Sequence, residues 1–189
     1  FKAVNDIFGH AEGDRVLKKV AAILDECARP GDVVARLGGD EFVILTARQT
    51  RAEEARLLAE TVLGMFAVKM NVASDPTAVG VSIGIAVFPR DGHDQESIMH
   101  AADLALYRAK MGGRGILSFY DPVMDQEARE RRQLETDLRL AINRDELVLN
   151  YQPVLSVECG QVVGYEALVR WQHPTRGAVP PDVFIPIAE

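Results

Sequence analysis

Cysteine is scarce in this chain. Cys27 and Cys159 are far apart, and neither belongs to a CxxC or Cys/His cluster. That argues against structural zinc, makes a reducing compartment the default and reads both as ordinary thiols. Long apolar runs are missing as well. No stretch approaches the roughly 18 apolar residues of a membrane span, and Phe1-Lys2-Ala3-Val4-Asn5-Asp6 lacks the apolar core of a signal peptide. The chain starts without methionine and reads as a piece of something longer, so absent targeting segments say little about the parent. The piece itself is expected in the cytoplasm without membrane contact, any anchor of the parent lying upstream. Nor is there an excess of positive charge. With 21 Lys and Arg against 28 Asp and Glu, the formal net charge is −7, which argues against a nucleic-acid backbone as the main partner. A few local basic residues can still hold a nucleotide's phosphates.

What is present is a soluble globular composition, 48% hydrophobic and 26% charged over 189 residues, enough for one or two domains. The most informative stretch is Arg36-Leu37-Gly38-Gly39-Asp40-Glu41-Phe42, set between Val33-Val34-Ala35 and Val43-Ile44-Leu45. Two apolar runs split by Gly-Gly predict a β-hairpin, because glycine takes the positive φ angles of tight turns and lets a ligand approach the backbone. Asp40 and Glu41 then open the return strand. Strand neighbours face opposite ways, so only the bend at the turn lets both carboxylates serve one site. Taken alone, Gly-Gly-Asp-Glu is more commonly an acidic turn that keeps the hairpin soluble.

In chain order, Lys2 to Asp14 predicts a short helical turn and a loop, with Asp14 as N-cap of a helix whose apolar stripe is Leu17, Val20, Ala21, Leu24 and Ala28. Asn5 and Asp14 suit the Watson-Crick edge of guanine, an amide supplying a donor to its carbonyl and a carboxylate accepting from its two nitrogens. Turn stabilisation and capping explain the same two residues. Arg29-Pro30-Gly31-Asp32 predicts a turn with solvated charges. A second helical stripe runs over 52–68, and Val81 to Val87 alternates bulky with small residues as a central strand approached closely on one face. A turn over 89–94 and a third helix follow, with Ile98, Ala101, Ala102, Ala105, Leu106 and Ala109 on its buried side. Lys110 and Arg114 at its end complement the helix dipole. Residues 121–133 are charged and nearly without core positions, which predicts a domain boundary and a connecting helix over about 125–143. Two strands, 147–154 and 162–171, come after it, with Glu166 either paired, solvent-facing or a ligand.

Taken together these segments resemble the GGDEF family of diguanylate cyclases. The carriers are Arg-Leu-Gly-Gly-Asp-Glu-Phe, the Phe-Lys-x-x-Asn-Asp-x-x-Gly-His-x-x-Gly-Asp segment from Phe1 to Asp14, and the block Ala101 to Lys110 with Gly113-Arg114. The resemblance implies condensation of two GTP into cyclic di-GMP, with Asn5 and Asp14 on guanine, Lys2, Lys110 and Arg114 on phosphates, and Gly38 and Gly39 admitting the nucleotide. It gives Asp40 and Glu41 to catalysis and to Mg²⁺ or Mn²⁺. A further metal-binding aspartate of the family lies in a strand upstream of Phe1. Arg29 and Asp32 match the family's RxxD site for inhibitory product, and a homodimer is implied because each site holds one GTP.

Tyr151-Gln152-Pro153, Gly164 to Trp171, His173-Pro174, Gly177, Pro180-Pro181 and Phe184 to Glu189 resemble the opening of an EAL domain, a cyclic di-GMP phosphodiesterase. That resemblance makes Glu166 a metal ligand and gives Gln152, Leu168 and Arg170 contacts with the dinucleotide. The expected fold class is α/β. A mixed-sheet, nucleotidyl-cyclase-like GGDEF domain over 1–120 lacks its first strand, a linker helix spans 121–144, and 145–189 form the first strands of a TIM-barrel-type EAL domain. Too short to close a barrel, that last part is expected to expose apolar edges and to be poorly ordered by itself. Three readings of function remain within cyclic di-GMP turnover: an active cyclase, an active phosphodiesterase in the parent with a GTP- or cyclic di-GMP-binding GGDEF module that controls it, and a non-catalytic cyclic di-GMP receptor.

Overall fold

A computed structural model describes residues 1–47, 51–70 and 79–188, apart from the Lys2 side chain. It divides into two compact units, Phe1–Met124 and Asp125–Glu189.

The first unit opens with two helices, α1 (Lys2–Phe8) and α2 (His10–Cys27), broken at Gly9. Here the structure departs from the expected turn and loop. Gly9, with φ +80°, separates the helices and is the N-cap of α2 without a side-chain bond, so Asp14 lies within α2 instead of capping it. Antiparallel strands β1 (Val33–Gly38) and β2 (Glu41–Leu45) form the predicted hairpin. Helix α3 (Ala52–Lys69) packs Val62 and Phe66 against Val20, Ile23 and Leu24 of α2, and Val34, Phe42, Ile44 and Ile83 close the same cluster. One apolar stripe per helix and alternate strand residues therefore build this core.

Strand β3 (Ile83–Ile85) is shorter than the predicted 81–87 and, among the described residues, pairs only with the parallel β4 (Leu117–Phe119), so it is not central there. Its flanks bond elsewhere. The Ser82 hydroxyl accepts from the Gly115 N–H at 3.2 Å, and the Val87 N–H donates to the Asp91 carboxylate at 2.8 Å. Burial alone pushes the Asp91 carboxyl upward, but the Arg90 hydrogen bond, the Val87 amide and the Arg90 charge together hold it below its ordinary value. Helix α4 (Gln95–Met111) starts at a capping box in which Asp94 and Ser97 exchange bonds. Its Ala101, Ala105 and Ala109 are buried. A Cβ on Gly84 would stand 2.3 Å from backbone atoms of Ala102 and Leu106, so glycine in β3 is what lets the helix lie this close.

The second unit contains most of α5 (Val123–Ala141), then a 3₁₀ turn over Ile142–Arg144 and an antiparallel sheet in the order β5 (Leu147–Leu155), β6 (Val162–His173), β7 (Gly177–Val179). Helix α6 (Pro181–Ala188) closes it. Strand β7 and helix α6 have no counterpart among the predicted elements. Trp171, fully buried, packs with Leu134, Ala141, Val179 and Phe184, and its indole N–H donates to the Glu146 carboxylate at 3.0 Å. His173 stands beside it. Its Nδ1 accepts from the Thr175 and Arg176 N–H groups, both at 3.2 Å, so Nε2 carries the proton and donates to the Asp137 carboxylate at 3.2 Å. Bonds from His173 and then Gln133 hold the Asp137 carboxyl below its ordinary range.

Candidate functional site

The hairpin tip is a two-residue turn, Gly39-Asp40, with Gly38 opposite Glu41 and a register shift between Arg36 and Gly38. Asp40 thus occupies the turn itself and Glu41 begins β2. Gly39 has φ +54°, a region that favours glycine, and space beside both Gly38 and Gly39 is open to 4 Å. Both carboxylates are exposed. The Arg36 guanidinium folds across the turn, its Nε and Nη2 donating to the Gly39 carbonyl at 2.9 and 2.7 Å. That forked contact fixes the peptide joining Gly39 to Asp40, a role invisible in sequence.

An open groove of about 470 Å³ lies between α2 and the hairpin, bordered by Asp14, Lys18 and Asp25 on the helix and by Arg36 and Phe42 on the strands. Asp14 reaches this groove because it sits within α2. Asn5, on α1, is seated against Gly13, the residue before Asp14. The structure therefore brings Asn5 beside the turn that carries Asp14 and sets Asp14 beside the base of the hairpin, while Asn5, Asp40 and Glu41 do not themselves border the groove.

Lys110 is exposed in the last turn of α4, and Arg114 follows it in the left-handed region at φ 58°, its N–H donating to the Ala109 carbonyl at 3.2 Å. Neither borders the groove. The Lys2 side chain lies outside the described residues. At the turn before β1, the Asp32 carboxylate accepts from the Arg29 N–H at 2.9 Å and the Ala47 N–H at 3.0 Å, tying the hairpin's two ends together. The Arg29 guanidinium is 3.5 Å from the Glu54 carboxylate and half exposed.

In the second unit, register places Gln152 opposite Glu166, Asn150 opposite Leu168 and Val148 opposite Arg170. Directly opposed residues share a face and alternate residues return to it. Gln152, Glu166, Leu168 and Arg170 consequently line one side of the β5–β6 ribbon. Asn150, which sequence reasoning did not single out, joins them.

Asp40 and Glu41 offer hard carboxylate oxygens, which fit Mg²⁺ or Mn²⁺. Among the described residues no group of three or more His, Cys, Asp or Glu is gathered as a complete metal site. The pair fits as part of a coordination shell.

Residues 1–115 match the model of the diguanylate cyclase GGDEF domain, and residues 135–189 that of the EAL domain. The bifunctional diguanylate cyclase/cyclic di-GMP phosphodiesterase MucR of Pseudomonas aeruginosa is 42% identical over all of this chain, which covers 27% of MucR. The cyclic di-GMP phosphodiesterase PdeR of Escherichia coli is 40% identical, again over all of this chain and 28% of PdeR. The chain thus spans about a quarter of the length of these relatives. Among solved structures, the GGDEF domain of YfiN (TpbB) from Pseudomonas aeruginosa superposes with a TM-score of 0.59 at 33% identity, over 64% of this chain and 75% of that one. The GGDEF domain of DgcB from Caulobacter crescentus, solved with c-di-GMP, gives a TM-score of 0.51 at 31% identity, over 62% and 70%. The chain belongs to the GGDEF (diguanylate cyclase) family and continues into EAL-domain sequence.

Proposed function

We propose that this chain is the GGDEF–EAL junction of a cyclic di-GMP turnover protein whose GGDEF half, over 1–120, binds and condenses GTP. The observation that carries the reading is the groove beside α2, where Asp14 stands next to a hairpin whose open glycine turn presents Asp40 and Glu41. In this reading the Asn5 amide donates to the guanine carbonyl and the Asp14 carboxylate accepts from the two ring-edge N–H groups. Lys2, Lys110 and Arg114 neutralise the triphosphate. Gly38 and Gly39 admit the nucleotide backbone-close, and Asp40 and Glu41 hold divalent cations, Glu41 also taking a proton. Such cations activate the attacking oxygen and neutralise charge on the leaving group when bound. The 3′-hydroxyl of one GTP forms the new bond to the α-phosphorus of the other, its proton is lost, and pyrophosphate leaves. Two such ester bonds close the ring, so two GGDEF domains must face each other as a homodimer.

Beyond the connecting segment 121–144, Glu166 serves as a metal ligand of the EAL half, and Gln152, Leu168 and Arg170 contact the dinucleotide. Arg29 and Asp32 form a product site. Arg29→Ala should relieve inhibition by cyclic di-GMP without altering GTP turnover, as an inhibition titration would read. The full-length protein incubated with GTP and Mg²⁺, its products separated by chromatography and identified by mass, tests the reading. Cyclic di-GMP or its linear hydrolysis product supports it, and unchanged GTP overturns it.

A second reading is favoured by PdeR, which aligns along the whole chain and is named as a phosphodiesterase alone. There the GGDEF half binds GTP or cyclic di-GMP and regulates the EAL half. Acceleration of cyclic di-GMP hydrolysis by added GTP, with no condensation, distinguishes it.

A further inference from the structure

Gly13 poses a problem that its own backbone does not answer. It is buried in the first turn of α2 and does not have the positive φ that would call for glycine. Its N–H makes an ordinary helical bond to the Gly9 carbonyl at 3.2 Å. Alanine is favoured over glycine at helical positions. Something other than conformation has to explain the missing side chain.

Space explains it. A Cβ on Gly13 would stand 1.9 Å from Asn5 Oδ1 and 3.0 Å from Asn5 Cγ, with the Phe1 ring 3.4 Å away. The Asn5 side chain occupies the volume that any other residue at position 13 would fill. With Oδ1 turned toward Gly13, the NH₂ end of the amide is directed away from it, and the next residue along the helix is Asp14, on the rim of the groove.

We infer that Gly13 is a positioning residue for base selection: its missing Cβ seats the Asn5 amide so that the NH₂ donates to the guanine O6 while Asp14 takes the opposite side of the same edge. The inference rests on the proposed GTP site and assigns it a residue that touches no substrate. Gly13→Ala keeps the fold, because the atom it meets is the free end of a side chain, which can rotate aside. Rotation removes the donor from the base.

The test uses Gly13→Ala, Asn5→Ala and the double variant of the full-length protein, with 3′-deoxy nucleotides that lack the attacking hydroxyl. Equilibrium affinity is measured for 3′-deoxy-GTP and for the corresponding 6-thioguanine nucleotide, which keeps N1–H and the 2-amino group facing Asp14 and replaces O6 by sulfur, a weak acceptor, alongside thermal melting. The expected result is that Gly13→Ala melts no lower than wild type, weakens 3′-deoxy-GTP about tenfold and hardly changes the 6-thioguanine analogue, as loss of one hydrogen bond to O6 dictates. The double variant should be no weaker than either single one. If Asn5→Ala loses the discrimination and Gly13→Ala keeps it, the seat is overturned and the guanine site stands. If Asn5→Ala keeps it, or wild type binds neither nucleotide, the guanine assignment falls and the seat with it. A lowered melting temperature with equal weakening of both nucleotides would make Gly13 a packing contact only and overturn the inference.

Discussion

The chain has two hairpins that carry candidate chemistry in opposite ways. The β1–β2 hairpin is short, rests Val34, Phe42 and Ile44 on the α2–α3 core, and places its carboxylates at the tip. In the β5–β6 hairpin the chemistry lies along the strands instead, with Glu166 opposite Gln152, and Trp171 anchors one end only. Away from that anchor, Leu149, Tyr151, Val154, Val163 and Tyr165 are exposed. A supported base lets a turn be small and glycine-rich. A ribbon whose apolar residues lie open depends on what covers it for its order.

Substitutions at four positions, and one measurement on the unaltered chain, should sharpen this contrast. Asp40→Ala removes a carboxylate from the supported tip without touching the core, so GTP condensation should fall more than about a hundredfold while thermal stability stays near wild type. Trp171→Ala acts on the other hairpin and in the opposite sense. It should lower the stability of the second unit by about 3–5 kcal/mol, read by denaturant unfolding, and leave GTP binding in place. In the unaltered chain, amide exchange should be slow near Leu147 and 169–173 and fast over 152–165. Uniform protection across 147–171 would remove the contrast altogether.

Arg36→Ala frees the Gly39 carbonyl and should reduce condensation about tenfold, with Arg36→Lys restoring part of it, because lysine keeps the charge and loses the fork. The smallest effect concerns pH. The Asp137 carboxyl is held below its ordinary value, so the bond from His173 adds stability above about pH 4, the unfolded value, and that stability is lost as pH falls through the lower folded value. Asp137→Asn should flatten this acid limb in melts taken across pH, and the Asp91 limb of the first unit should remain.

Much of the first unit was legible. Gly-Gly between apolar runs marked the hairpin, and the stripes of 52–68 and of Ile98 to Ala109 marked helices that the structure places at Ala52–Lys69 and Gln95–Met111. Strands β4 and β7 were not legible, each having three residues, too few for an alternation to declare itself. Helix α6 contains Pro186, which speaks against a helix locally. Asp14 was misread as a cap because an aspartate before an apolar stripe is a start signal, and only the break at Gly9 shows that the helix had begun earlier. Arg36 and Gly13 act through a carbonyl and a side chain brought near by folding. No spacing rule exposes either of them.

The role of Asp40 at the hairpin tip is tested most directly by pyrophosphate release from GTP in the full-length protein, with wild type and Asp40→Ala measured side by side under Mg²⁺. Steady release should be seen in wild type and lost in the variant, with the variant still folded and binding GTP. Equal release from both proteins, or none from wild type, would contradict that role.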